Sequence, residues 1–516
     1  MLFSSYFTLI PIGLFLFVHS VRRWHRRRTF EAANGCQAMP HFSRFQNLIE
    51  QVKAIKSHTY LEMWIDRYAN IGKTFSSATM SIDQIIFTIE PENIKTILAT
   101  DFDSFELGQR RRTLMGPVTG PGIFSNDGAA WKHSRTLIRP NFTKMIISDL
   151  SKFESHVQDL LEVLPGPDAL SALVEVDLMP LFFRMTLDSA SETLLGSEMA
   201  FRSQLDAPGS ESMRFMDAFD FVQSRIHRRN IIDRGWGRPF GLAYSLYKGN
   251  KKDKFEQACE TVHSIIDAKL LDFLRRPVKK IEEDRTYVFL EEMAKTTRDP
   301  LELRYEILNV LMAGRDTTAA LLTNTIFVLA RRPDLWFRVR AEVKETFAGQ
   351  LPDYESLRNM KQLRNLLNEC LRLYPPVPFN ARTATKDTVL PRGGGSDGQS
   401  PVMVEKGQQV DYHVYCLHRS TEIFGPDAEL FRPERWDDPS LRPGWAYIPF
   451  NGGARICLGQ QFALTEASYV LVRLMQEFSA IENRDPEQAW REQISLVTKS
   501  RNGANIALRR TENKQG

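Results

Sequence analysis

The chain is 516 residues long, 42% apolar and 25% charged. That composition supports a large buried core and excludes a disordered chain. Its net charge of +4 is concentrated: Arg22, Arg23, Arg26, Arg27 and Arg28 supply five of the 67 basic residues, and the rest of the chain is balanced. A balanced body excludes nucleic acid as the main partner. The five cysteines, Cys36, Cys259, Cys370, Cys416 and Cys457, include no CxxC pair, which excludes a disulfide framework and a zinc cluster and fits a reducing compartment.

From the N-terminus, residues 1–20 hold no Lys, Arg, Asp or Glu. About 20 such residues span a bilayer as a helix. The arginines follow the apolar run instead of preceding it, which is the reverse of a cleaved signal peptide. The positive-inside rule then places the body in the cytosol. The expectation is a membrane anchor over residues 1–21, a basic flank and linker over 22–55, and a catalytic body over 56–516.

Within the body, helical periodicity dominates, with short strand-like runs at Ile85–Ile89, near Val402–Val404 and in the tail near Ser495–Leu508. Asp299-Pro300 marks a helix start, and the apolar run that follows lasts until Pro333. A helix apolar on nearly every side belongs in the core. A second helix is expected over about Leu357–Tyr374, with Leu363, Leu366, Leu367, Cys370 and Leu373 inward and Pro375-Pro376 as its stop. Val389–Val402 reads as a hairpin with a glycine loop, lacking the Lys-Ser/Thr of a phosphate cradle.

Three patterns carry chemistry. Phe450-Asn-Gly-Gly453-Ala-Arg455-Ile-Cys457-Leu-Gly459 places a cysteine among glycines, one arginine and a helix start. A thiolate is the strong ligand form of cysteine. Backbone N–H groups of a glycine turn and the positive end of a helix favour it. Gly453 and Gly459 let backbone approach a flat partner, and Phe450 shields the sulfur. In the long helix, Ala313-Gly314-Arg315-Asp316-Thr317-Thr318 puts an acid and hydroxyls into a core, which is costly without a purpose. Glu369 and Arg372 stand at i, i+3 on one helix.

The full F-x-x-G-x-R-x-C-x-G pattern resembles the cytochrome P-450 haem-thiolate monooxygenases, over about residues 60–510. The resemblance implies a mainly α prism with small β-sheets behind one N-terminal transmembrane helix. It makes Cys457 the proximal ligand of haem b and Arg455 a partner of the haem's acidic edge. It assigns Asp316 and Thr317 to oxygen activation and proton relay, with Thr318 supportive. Glu369, Arg372 and Arg435, the last in the Phe431–Trp436 segment, would form a buried network bracing the cysteine loop. Trp131 and Arg135 match the family's W-x-x-x-R helix, and with Arg382 they would face the haem propionates. NADPH would reach the haem through a separate membrane-bound flavoprotein reductase, and the protein would sit in the endoplasmic reticulum membrane, single-pass, with a cytosolic catalytic domain.

The Phe124 region, the Trp131 segment and the Leu390–Gly395 loop resemble the fungal subgroup that hydroxylates alkanes and fatty acids. A long lipophilic chain is therefore the expected substrate, with a polyketide or terpenoid intermediate of fungal secondary metabolism as the alternative. The alternative rests on departures from the subgroup: Val118-Thr-Gly-Pro-Gly122 replaces a more acidic loop, and Leu417–Thr421 replaces the commoner H-R-D-P. Substrate contacts are expected over Leu107–Phe124, residues 213–225 and the turn near Gly503. A haem-thiolate isomerase and a binding protein that has lost catalysis are the readings from other classes; the Asp316-Thr317 pair opposes the first, and the intact Cys457 together with Asp316-Thr317 opposes the second.

Overall fold

The computed structural model describes residues 2–78, 84–142, 148–166, 173–226, 253–276 and 288–511; the side chains of residues 2–13, 15 and 16 lie outside that description. Helix Pro300–Arg331 runs through the core as expected. Asp299 caps its start, accepting from the Leu301 N–H at 3.0 Å, and the helix ends before Pro333. Its 32 residues correspond to about 48 Å of length, enough to cross the domain. Helices Leu178–Leu195, Lys361–Leu373 and Gln460–Glu477 pack around it, joined by Leu322, Leu366, Leu471 and their neighbours in one apolar core. A second core surrounds the first half of the same helix, through Phe215, Phe219, Ile266 and Leu311. Burying each such Leu, Ile or Phe contributes roughly 1.5–3 kcal/mol against leaving it in water.

The main sheet has six strands, in the spatial order His41–Phe42, Thr74–Ala78, Gln84–Thr88, Gln409–Tyr412, Asn380–Ala384 and Phe105–Glu106. It carries Arg382 and Tyr412 into the interior. The expected hairpin forms, with Thr388–Gly394 antiparallel to Ser400–Val404. The tail forms the short pair Glu492–Ile494 and Thr498–Ser500, then strand Asn505–Arg510.

Two expectations need correction. The region expected as one helix from Leu357 is two, Tyr354–Asn359 and Lys361–Leu373, separated by extended backbone at Met360. Glu342 causes the restart: its carboxylate accepts from the N–H groups of Gln362 and Leu363 at 2.9 and 3.0 Å, satisfying donors that a new helix start exposes. The expected linker over 22–55 is also too long. Strand His41–Phe42 joins the sheet beside Ser76–Ser77, and helix Arg44–Ser57 docks through buried Asn47, which accepts from Arg67 at 2.7 Å.

The N-terminal helix Leu2–Ala33 is continuous through the basic flank. Arg23 meets Glu405 at 2.8 Å and Arg26 meets Asp387 at 3.3 Å, so part of the basic cluster is tied to the body. Among the described residues no helix is long and apolar enough to cross a membrane. The expected anchor over 1–21 falls mostly on side chains outside the description.

Candidate active site

One cavity collects most of the residues singled out in the sequence: Trp131, Arg135, Gly314, Thr317, Thr318, Arg382, Phe450, Arg455, Cys457 and Gly459 all line it. The cysteine loop closes on itself, the Cys457 N–H donating to the Phe450 carbonyl at 3.0 Å. Helix Gln460–Glu477 begins immediately beyond it. Cys457 is open to the cavity, yet the surrounding protein desolvates it and pushes the thiol up. The Gly459 backbone N–H and the Arg135 charge act in the opposite sense.

The glycines of this loop serve the fold more directly than the cavity. Gly453 does not line the cavity. Its φ is +61°, and a Cβ there would stand 1.8 Å from the Leu98 carbonyl oxygen. Gly459 does line it, and a Cβ there would touch the Phe142 ring at 3.3 Å. The expectation that both glycines make room for a flat partner therefore changes at Gly453, where the close approach is to the protein's own backbone.

At one edge of the cavity three guanidinium groups converge. Arg455 donates to Asp127 Oδ1 at 2.8 Å and to the Asn126 carbonyl at 3.0 Å, and its guanidinium lies 4.4 Å from the Trp131 ring centre. Arg111 donates to Asn380 Oδ1 at 2.8 Å, and Arg382 shares that oxygen at 3.2 Å. Burial, with the like charges of Arg382 and Arg111, pulls Arg455 down to about 9; burial and Arg382 pull Arg111 down to about 10. Among the described residues Asp127 is the only carboxylate within salt-bridge reach of the three, through Arg455, and Arg382 Nε has no hydrogen-bond partner. A flat group with two carboxylates at one edge fits this excess of donors, and the single thiol opposite suits a metal at its centre. The donor set thus fits haem. Arg135 stands beside it, donating to the Ile456 carbonyl at 3.1 Å.

Sequence reasoning missed Arg111, Asp127, Asn380 and Tyr412. Arg111 was hidden inside the run Arg110–Arg112, which has no period that singles out its inward member. Asp127 precedes helix Gly128–Ile138 as a cap would, but its carboxylate receives the Leu107 N–H, Arg112 and Arg455 instead.

In the central helix the two expected residues part company. Thr317 lines the cavity, and its hydroxyl donates back to the Ala313 carbonyl at 2.7 Å, which leaves its oxygen able to accept a further hydrogen bond. Asp316 does not line the cavity. It is buried against Arg315, 3.1 Å away, in a cluster with Asp220 and Lys499. Burial raises the Asp316 carboxyl, with Arg315 opposing. Of the expected substrate segments, Leu107, Arg111, Ile123 and Phe124 line the cavity; residues 213–225 and Gly503 do not.

Glu369, Arg372 and Arg435 form a fully buried network behind the cysteine loop. Arg372 pairs with both Glu369 oxygens at 2.8 and 2.9 Å, and Arg435 reaches Glu369 Oε1 at 2.8 Å. Trp436 Nε1 donates to Glu369 Oε2 at 3.0 Å and the Arg432 N–H to Oε1 at 2.9 Å. The Arg372 guanidinium also donates to the carbonyls of His418, Ala428 and Leu430. Every charge in the network is thereby bonded, the condition for tolerating a buried pair.

The family model of cytochrome P450 matches residues 15–505. The chain is 42% identical to cytochrome P450 monooxygenase himC of Aspergillus japonicus over 94% of its own length and 86% of the relative's. It is 39% identical to cytochrome P450 monooxygenase fsdH of Fusarium heterosporum, covering 97% and 88% of the two chains. It is 43% identical to cytochrome P450 52A5 of Candida maltosa, covering 83% and 81%. A cysteine loop before a long helix, a crowd of arginines across one cavity and a family match over nearly the whole length leave one assignment: the chain belongs to the cytochrome P450 family of haem b-binding monooxygenases.

Proposed function

We propose that the enzyme hydroxylates a long lipophilic chain, an alkane or fatty acid, with electrons from NADPH through a separate flavoprotein reductase. The observation that carries this reading is the cavity wall on the Thr317 side. Leu107, Ile123, Phe124, Val310, Ala313 and Val377 line it, and an apolar chain gains by leaving water for such a surface. The likeness of the Phe124 and Trp131 segments to fungal alkane and fatty-acid hydroxylases points the same way.

Cys457, Arg135, Arg382 and Arg455 would hold the haem, which would supply the redox chemistry for O2 activation. One oxygen atom enters a C–H bond; the other leaves as water, which takes two electrons and two protons. This chain's residues orient the substrate against the Thr317 face, exclude water from the apolar wall and deliver the protons. Thr317 holds a proton-donating water through the lone pairs of its hydroxyl. Asp316, turned toward Arg315, acts on that route from behind the helix. The Glu369–Arg372–Arg435 network fixes the backbone that presents the sulfur.

The uncharged run of residues 1–20 followed by five arginines supports a single-pass anchor in the endoplasmic reticulum with a cytosolic body. Carbonate extraction and protease protection of microsomes test it; release by carbonate overturns it.

A second reading, oxidation of a polyketide or terpenoid, is favoured by the loop Val118–Gly122. It is pinned to the central helix: Asn309 Nδ2 donates to the Thr119 carbonyl at 3.0 Å, and a Cβ on Gly120 would stand 2.1 Å from the Tyr305 ring. The loop does not itself line the cavity, but it holds Ile123 and Phe124, which do, and a wall so pinned suits a rigid ligand. Titrating the purified ferric protein with twelve- to eighteen-carbon fatty acids and alkanes, and with cyclic polyketides and terpenoids, decides between the two. A low-to-high-spin Soret shift with linear chains supports the first; a shift with cyclic compounds alone overturns it.

A further inference from the structure

Residues 123–127 run from the apolar wall of the cavity to its charged edge, and guanidinium groups hold their backbone. Arg455 donates to the Ile123 carbonyl at 3.4 Å and to the Asn126 carbonyl at 3.0 Å. Arg111 donates to the Phe124 carbonyl at 3.2 Å. Ile123 and Phe124 are wall residues. The wall therefore hangs from the arginines of the charged edge.

Asp127 closes this arrangement. Its Oδ1 accepts from Arg455 and from the Leu107 N–H, both at 2.8 Å. Its Oδ2 accepts from Arg112 at 2.9 Å and from the Gly108 N–H at 3.3 Å. Leu107 and Gly108 open helix Gly108–Thr119, whose first N–H groups have no partner within the helix. A carboxylate there satisfies two of them and meets the positive end of the helix dipole. The Asp127 side chain is only 12% exposed, so solvent ions screen these contacts little. Leu107, at the start of this helix, and Arg111, within it, line the cavity as well. Arg455 joins the two sides. Of the five N–H donors of its rigid fork, three go to residues 123–127, and among the described residues no protein group accepts from the other two. Those two are left for the carboxylate edge of a bound haem.

We propose that Asp127 is a positioning residue that couples the substrate wall to the haem edge. One carboxylate fixes Arg455, and with it the wall segment 123–127 and the first turn of helix Gly108–Thr119. A displacement of the wall then changes how Arg455 meets the haem carboxylates. A change of charge on the haem changes how firmly the wall is held, since linkage between two sites is reciprocal. Asp127 does not line the cavity, so it acts through Arg455 and the helix start. The inference rests on the place given to Arg455 at the haem edge and is independent of which substrate the enzyme takes.

The test uses the full-length, haem-loaded protein. Resonance Raman reads the haem propionate bending band, and hydrogen exchange with mass spectrometry reads the backbone of residues 107–127. Asp127→Asn keeps the size and loses the charge. It should shift the band and speed exchange over that segment by roughly tenfold or more. The ferric/ferrous midpoint potential should rise, because a negative charge beside the haem edge is gone, and Asp127→Glu should return it toward wild type. Faster exchange with band and potential unmoved makes Asp127 a local clamp and overturns the coupling; so does no change in any of the three. Arg455→Lys separates the inference from the reading it rests on. A band unmoved in Arg455→Lys removes Arg455 from the haem edge, and the proposal falls with it. A band that moves in Arg455→Lys but not in Asp127→Asn overturns the coupling alone. If Asp127→Asn does not load haem, wild type decides. Reduction from ferric to ferrous should change exchange over residues 107–127 by about twofold or more, while the hairpin of Thr388–Gly394 and Ser400–Val404 stays unchanged. Equal exchange over residues 107–127 in both states overturns the proposal.

Discussion

His418 joins Arg372 to Ile448. Its Nδ1 faces the Arg372 carbonyl at 3.2 Å, and its Nε2 accepts the Ile448 N–H at 2.9 Å. Accepting at Nε2 places the ring proton on Nδ1, and burial with the Arg372 charge drives the imidazole down to about 3, so it stays neutral. The buried arginine is thus wired to the strand of chain that leads into the cysteine loop two residues later.

Replacing His418 with Phe keeps the bulk and strands the Ile448 N–H and the Arg372 carbonyl. The expected cost is about 2–4 kcal/mol, from two unsatisfied buried groups. A lowered denaturation midpoint together with faster haem loss on dilution checks it.

Cys457→Ser removes the only thiol that lines the cavity. The reduced carbon monoxide complex should lose its thiolate-type spectrum. An unchanged spectrum would mean that another ligand holds the iron.

Thr317→Ala deletes the cavity-facing hydroxyl while leaving the apolar wall and the arginines in place. The ferric spectrum should stay as in wild type, and peroxide released per NADPH should rise several-fold. Coupling equal to wild type would remove Thr317 from proton delivery.

Gly453→Ala should abolish folding with haem, because the left-handed backbone and the 1.8 Å approach to the Leu98 carbonyl leave no room for a methyl group. Gly116, inside helix Gly108–Thr119 with open space around it, is the control. Gly116→Ala should stabilise by roughly 0.4–1 kcal/mol. Thermal melts of both variants separate a steric effect from a general glycine effect.

Glu306, buried in the central helix, is raised to about 7 by desolvation against an ordinary value of 4.5. The folded protein therefore holds this proton where the unfolded chain has released it. Stability from this group is fully present below pH 4.5 and is lost as pH rises through 7. The change is up to about 3 kcal/mol. Glu306→Gln should flatten that part of the stability curve in urea titrations between pH 5 and 8.

The readable parts of this molecule are those written in short stretches of chain. The cysteine loop, the start and stop of the central helix and the glycine hairpin each occupy fewer than forty residues, and their capping and turn residues announce them. Glu369 and Arg372 were legible as a pair, but the carbonyls of Ala428 and Leu430 that complete the site were not. Arg111 and Asn380 meet across 269 positions and Arg455 and Asp127 across 328; no local periodicity encodes such meetings. The break at Met360 escaped for the same reason, since its cause, Glu342, lies on another helix.

The N-terminal helix is one rod of 32 residues, fastened near its inner end by Arg23 and Arg26 to Glu405 and Asp387. Such a rod is a lever about 48 Å long. Whatever fixes the direction of its outer end also fixes how the body is pitched, and with it the direction in which the cavity faces. Weakening these ion pairs, with that of Arg27 to Glu405, would turn a rigid outrigger into a loose tether without touching a single residue of the active site.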